Sequence, residues 1–258
     1  MKIKFLGTGS AKTSLNRYHS SLLISSSNHN LLVDCGDGIS RAILNQNVDF
    51  NTINSILISH FHADHFSGLP SLLTQMKLLS RKSDLSIFVH SSEKIFLEDF
   101  IFHSYLFTER MNFNLNIVSF DEEKEVLLFD DLTFTSKLNS HLDKYKLYDH
   151  QNRLSCTSLS FLFKDDENSC IFSGDVGSEL DLYLFDQKVE FYITEITHIN
   201  PLVLINLLHD QKTEIIVMTH LDDETEEVIK VFDEELQKSY EKSHILAAFD
   251  GLELNQST

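Results

Sequence analysis

Short runs of β-branched, leucine and phenylalanine residues recur along the chain with turn residues between them, at 2–6, 20–25, 30–33, 55–59, 85–89, 115–120, 132–138, 158–163, 169–172, 191–196, 214–218 and 244–248. Runs of this length and composition predict about a dozen strands. Apolar residues at helical spacing predict helices over 39–45, 69–79, 93–107, 200–208 and 223–240. The last has Asp223 as N-cap, Glu226 three residues on, and an apolar stripe of Val228, Val231, Phe232, Leu236 and Tyr240. The early strands follow one another without helices, whereas later ones alternate with them. Two mixed β-sheets packed face to face with helices outside, an α/β arrangement, fit that order better than one doubly wound sheet. There is no repeat of fixed period and no low-complexity linker, so a single domain over 1–258 is expected.

Composition narrows the function. The chain has 258 residues, 42% of them hydrophobic and 20 of them Phe, which is ample for one core. Its 39 acidic and 21 basic residues leave a net charge of −18, which counts against nucleic acid or an anionic membrane as partner. No apolar run is long enough to cross a membrane, and residues 1–4 lead into a strand-like segment without the apolar region of a secretion signal. Cys35, Cys156 and Cys170 are scattered and odd in number, as in a reduced, cytoplasmic protein. Glycine is scarce, and Gly7, Gly9, Gly36, Gly38, Gly68, Gly174 and Gly177 all stand beside polar motifs at the ends of apolar runs.

The segment that carries chemistry is His60-x-His62-x-Asp64-His65, which ends an apolar run and precedes Gly68 and a helix. His60 and His62, two apart on an extended turn, can hold one ion, while Asp64 and His65 face a second beside it. Imidazole nitrogen with carboxylate oxygen is a zinc-type donor set, and ions about 3.5–4 Å apart would share ligands. Three more polar residues end apolar runs: Asp34 after 31–33, Asp175 after 170–174, and His220 after 215–219. Strand ends can converge on one crevice, so these are candidates for the same centre.

These motifs resemble those of the metallo-β-lactamase-fold hydrolases, and within them the ribonuclease Z-like branch. Phe5-Leu6-Gly7-Thr8-Gly9-Ser10-Ala11 is similar to that branch's opening strand and turn. Leu32-Val33-Asp34-Cys35-Gly36-Asp37-Gly38 resembles the first family motif, the histidine segment the second, Ser173-Gly174-Asp175 the fourth and Met218-Thr219-His220 the fifth. The resemblance covers residues 1 to about 220 and implies an αββα sandwich, two Zn²⁺ (with Mn²⁺ or Fe²⁺ as substitutes) and hydrolysis. It implies His60, His62, His141 and Asp175 around one ion, Asp64, His65, Asp175 and His220 around the other, and Asp34 in support behind them. For the third-motif histidine, His141 directly follows its apolar run and is preferred to His150, which lies in a polar stretch.

Two such ions would leave the centre a local charge of about +2, lower the pKa of bound water towards 7 and stabilise charge on a phosphoryl or carbonyl oxygen. Asp64 would orient or deprotonate that water. Glu195 ends a strand and His198 opens the next helix, so the two can pair as a held general acid for the leaving group, which resembles the acid–histidine pair of the ribonuclease Z-like branch. The 33 residues between His141 and Asp175 leave no room for the long tRNA-gripping arm of the bacterial tRNA-processing members. A phosphodiesterase for a small or cyclic phosphodiester, working through metal-bound hydroxide, is therefore expected. The competing readings are a tRNA 3′ endonuclease, a lactone or thioester hydrolase in which Glu195 and His198 are unneeded, and a metal-binding sensor without turnover. The aromatic segment 96–113 reads as helical core, with a pocket wall or a homodimer contact as alternatives.

Overall fold

A computed structural model describes residues 1–211, 213–222, 224 and 245–255. The helix expected over 223–240 lies, apart from Glu224, outside the described residues. β1 (Lys2–Gly7), β2 (Ser21–Ser26) and β3 (His29–Val33) form an antiparallel meander. Pairing then turns parallel through β4 (Ser55–Leu57), β5 (Leu85–His90) and β6 (Leu115–Phe120). A second meander, β7 (Glu125–Phe129), β8 (Leu132–Leu138), β9 (Leu159–Lys164) and β10 (Ser169–Phe172), continues in parallel through β11 (Phe191–Glu195), β12 (Ile215–Thr219) and β13 (Ile245–Ala247). β14 (Glu253–Leu254) returns to pair with β1. The result is two seven-stranded sheets, ordered β14-β1-β2-β3-β4-β5-β6 and β13-β12-β11-β10-β9-β8-β7.

Parallel neighbours need crossover connections, and helices supply several of them: α1 (Ile39–Asn45) after β3, α2 (Ala63–Phe66) and α3 (Leu69–Leu78) after β4, α4 (Lys94–His103) after β5, and α5 (Val203–Gln211) after β11. Side chains alternate across each strand, so buried strands feed two layers at once. Leu31, Val33 and Leu57 face the other sheet, while Leu32 and Ile56 pack on Ile39, Ile43, Leu72 and Leu73 of α1 and α3. Between the sheets, the Phe134 ring lies 5.0–6.0 Å from those of Phe88, Phe120 and Phe161. A third apolar layer joins Ile171, Ile216 and Met218 to Leu204 and Leu207 of α5. Layers of helix, sheet, sheet and helix therefore follow from the apolar pattern, and the metallo-β-lactamase αββα sandwich holds.

The differences have local causes. β14 is two residues long and shows no apolar run, whereas β7, an edge strand that alternates exposed and half-buried residues, carries four consecutive apolar residues, Val126 to Phe129, and is missing from the expected strands all the same. α4 ends at His103, four residues before the expected end, because Tyr105 adopts φ +58. Its expected core role is also corrected. Leu97 and Ile101 enter the core, but Phe96, Phe102 and Tyr105 are 45%, 59% and 80% exposed. Among the described residues no helix is long and apolar enough to cross a membrane.

Candidate metal centre

The polar residues at strand ends meet at one edge of the sandwich. Asp34 follows β3, the segment with His60, His62, Asp64 and His65 follows β4, His141 follows β8, Asp175 follows β10 and His220 follows β12. Parallel strands present their ends on one side, and the two sheets bring both sets of ends together. His60, His62, His141 and Asp175 form one group, and Asp64, His65, Asp175 and His220 a second; within each, the donor atoms lie within 4.8 Å of one another. His141 Nε2 is 3.1 Å from His62 Nδ1 and 3.6 Å from Asp175 Oδ2. In the second group, His65 Nε2 is 3.3 Å from Asp175 Oδ1, and His220 Nε2 is 3.1 Å from Asp64 Oδ2 and 3.3 Å from Asp175 Oδ2. Asp175 is thus common to both groups. His150 is exposed and belongs to neither.

What backs the imidazoles decides which nitrogen turns inward. His65 donates its Nδ1–H to Asp34 Oδ2 at 2.7 Å. Asp34 also accepts from Ser59 N at 2.8 Å and Ser59 Oγ at 2.7 Å, and Ser59 Oγ in turn accepts from His60 Nδ1 at 3.1 Å. Asp34 is fully buried at φ +60, strained backbone of the kind found where a site over-determines it. His220 donates Nδ1–H to Thr197 Oγ1 at 3.1 Å, and Thr197 Oγ1 donates to Glu195 Oε2 at 2.8 Å. The Nε2 atoms are therefore left to face the centre, those of His60 and His65 buried with no hydrogen bond. Buried ring nitrogens without hydrogen-bond partners, ringed by carboxylate oxygens, make up the donor set of a divalent cation, so these residues fit a divalent metal site.

The buried charges of the cluster also act on one another. Burial would raise the Asp175 carboxyl, but the charges of His220, His65 and His60 hold it well below the usual carboxylate range. Burial is likewise outweighed at His65, which the charges of Asp175 and Asp34 push well above an ordinary histidine. His60 is driven well down, by burial first and then by the charge of His65, and burial lowers His141 to about 4. At neutral pH the last two offer lone pairs rather than protons.

A sequence profile described as Anti-Pycsar protein Apyc1 matches residues 1–238. The chain belongs to that family. It is also similar to curated ribonuclease Z proteins: 38% identical over 100 residues to that of Methanosarcina mazei, covering 39% of this chain and 33% of the relative. To that of Prochlorococcus marinus strain MIT 9301 it is 32% identical over 187 residues, covering 70% of this chain and 58% of the relative. The chain thus spans between a third and somewhat over half of these relatives. Among solved structures, the metallo-β-lactamase fold protein YhfI from Bacillus subtilis superposes with a TM-score of 0.76 at 15% identity, covering 98% of each chain. The short form of human tRNase Z does so at 0.71 and 21% identity, covering 99% of each. The fold and the ribonuclease Z-like, metallo-β-lactamase-fold relationship are therefore those the motifs imply.

In this Apyc1-family chain the expected acid–histidine pair does come together. His198 Nδ1 lies 2.9 Å from Glu195 Oε1, and the His198 ring centroid is 4.9 Å from that of His141. Glu195 is buried at 1% exposure; burial would raise its carboxyl, but the His198 hydrogen bond keeps it below its ordinary value. His198 has a side chain 33% exposed, and its ring centroid is 6.3 Å from that of His220. Beside His62 opens a cavity of about 620 Å³ lined by Phe61, Phe96, Tyr145 and Arg153, with Glu93 and Asp99 at its wall. Ser59, Thr197 and Tyr145 go unnoticed in the sequence. The signal for the first two is a hydroxyl residue directly before a motif histidine.

Proposed function

We propose that the chain is a dinuclear zinc-dependent phosphodiesterase for a small or cyclic phosphodiester. His60, His62, His141 and Asp175 would hold one ion, and Asp64, His65, Asp175 and His220 the other. Metal bound there would supply a water of lowered pKa and stabilise charge on a phosphoryl oxygen. Asp64, beside the cavity-side cluster, would orient the attacking water and take its proton. Glu195 would hold the His198 imidazole by its Nδ1–H, leaving Nε2 to deliver a proton to the departing alkoxide.

The observation that carries this reading is the His198–Glu195 pair poised over the metal-ligand cluster, because proton donation is what a phosphodiester with a poor leaving group requires. The adjoining cavity supports a small substrate: it is walled by aromatic rings and carries one arginine against two carboxylates. The similarity to ribonuclease Z proteins favours a second reading, a tRNA 3′ endonuclease. Against it stand the charge of −18 and the connection between His141 and Asp175, which holds one short 3₁₀ turn, β9 and β10.

The test is a substrate panel on zinc-loaded protein: a cyclic nucleoside phosphodiester, a nitrophenyl phosphodiester, a lactone, a thioester and precursor tRNA. His198→Ala should lose about 10²–10⁴-fold on the nucleoside diester and far less on the nitrophenyl one, whose leaving group needs no proton. Equal losses on both would refute the acid role. Turnover of the lactone or thioester alone would move the function to acyl hydrolysis, and of precursor tRNA alone to the nuclease.

A further inference from the structure

Three of the imidazoles in the centre lean on a buried carboxylate. His65 does so directly through Asp34, His60 through Ser59 to Asp34, and His220 through Thr197 to Glu195. His141 has no such backing on its ring. Its Nδ1 lies 3.4 Å from the Val176 carbonyl, a long hydrogen bond, and its backbone N donates to Asn139 Oδ1 at 3.2 Å. The main chain before it is anchored a second time.

Asp181 stands in the 3₁₀ turn Glu179–Tyr183 at 7% exposure, outside the chemistry described above. Its Oδ2 accepts four hydrogen bonds: from Ser140 Oγ at 2.7 Å, Gly177 N at 2.8 Å, Ser140 N at 3.1 Å and Ser178 N at 3.1 Å. Ser140 precedes His141, and Gly177 lies two residues past Asp175. One anion therefore ties the loop after β8 to the loop after β10. The loops touch so closely that a Cβ on Gly177 would lie 2.4 Å from the Ser140 carbonyl carbon and oxygen. Capping its own turn would need only the bond from Ser178 N; the other three reach beyond that turn. Hydrogen bonds to an ionised acceptor are also about twice as strong as neutral ones, which suits an anchor.

We propose that Asp181 is a positioning residue of the metal centre, holding His141 through the Ser140 backbone within reach of the ion shared with Asp175. It supplies from behind the main chain what Asp34 and Glu195 supply to the other rings. The inference rests on the metal reading above, and its readout is zinc affinity rather than turnover. Loss of an outer partner of a metal ligand typically costs 10–100-fold in affinity.

Zinc competition against a chelating dye, with thermal unfolding of the metal-free protein alongside, tests it. Asp181→Ala should weaken one of the two ions about 10–100-fold. Asp181→Asn, which keeps an acceptor oxygen in place without the charge, should lose less. In a His141→Ala background, Asp181→Ala should cost nothing further. Asp181→Ala binding both ions with wild-type affinity would overturn the proposal, as would the same loss with and without His141, since either makes Asp181 merely structural. Should Asp181→Ala fail to fold, the cycle runs with Asp181→Asn and reads the same coupling. Wild-type protein that takes up no zinc would overturn the metal centre itself, a failure distinct from an unchanged variant of a loaded protein.

Discussion

Gly36→Ala tests how tightly the sandwich sets the centre. A Cβ at residue 36 would lie 1.9 Å from the Asp64 carbonyl oxygen, 2.5 Å from its carbon and 2.8 Å from His19 Cβ. Contacts of this kind are not found below 3.0 Å, so the Asp64 peptide must withdraw by about 1 Å or the strand end must. Neither is a flexible tip. Cys35 N donates to His65 O at 2.7 Å and Gly68 N to Cys35 O at 3.0 Å, so the turn carrying Asp64 and His65 is bonded to the very segment that would push it. Metal–ligand distances tolerate about ±0.2 Å, and two of the four ligands proposed for the second ion would move several times that.

The expected outcome is loss of that ion by at least about 100-fold in affinity, with overpacking costing the metal-free fold about 1–3 kcal/mol. At zinc a hundred times the wild-type Kd, one bound ion adds about 2.7 kcal/mol of stability, and most of that increment should vanish. Zinc stoichiometry by competition, and unfolding midpoints with and without zinc, separate the two effects. Gly36→Ala protein that holds two ions as tightly as wild type would refute the claim that this contact sets the position of Asp64.

The choice of third-motif histidine is tested in the same assay: His141→Ala should weaken zinc retention and abolish turnover, whereas exposed His150→Ala should do neither, and the reverse would reassign the ligand. Away from the centre, His29 is buried with Nε2 2.7 Å from Ser55 Oγ, and burial lowers its pKa below 6.5. The folded state then resists a proton that the unfolded chain accepts, so its contribution is fully present above about pH 6.5 and falls as pH drops from there to the folded-state value. Urea midpoints at pH 7.5 and 5.5 should therefore differ less in His29→Gln than in wild type, and an unchanged difference would contradict this.

How much of the centre is legible in sequence depends on how far apart its parts lie. His60, His62, Asp64 and His65 occupy one turn, so their geometry follows from local spacing, and the ends of fully buried strands announce themselves as apolar runs stopped by Asp34, Asp175 or His220. The fold is legible for the same reason, since strands buried on both faces, such as β3 and β12, hold continuous apolar runs, although the half-exposed edge strand β7 carries such a run too, so the run marks a strand without telling how deeply it is buried. Phe96 misleads because helical spacing tells which residues share a face but not whether that face meets core or cavity. Asp181 is hidden more deeply. It is one of 39 acidic residues, and what singles it out is a contact with Ser140, 41 positions away, made by a loop that has to fold before the carboxylate has anything to hold. Groups that bind a metal directly are restricted to a few donor types and so leave a motif, whereas a group that orients a ligand through the main chain needs only an acceptor in the right place. Such residues are recognised by where their hydrogen bonds go, and Asp181 sends three of its four out of its own turn, to the two loops that the centre has to keep together.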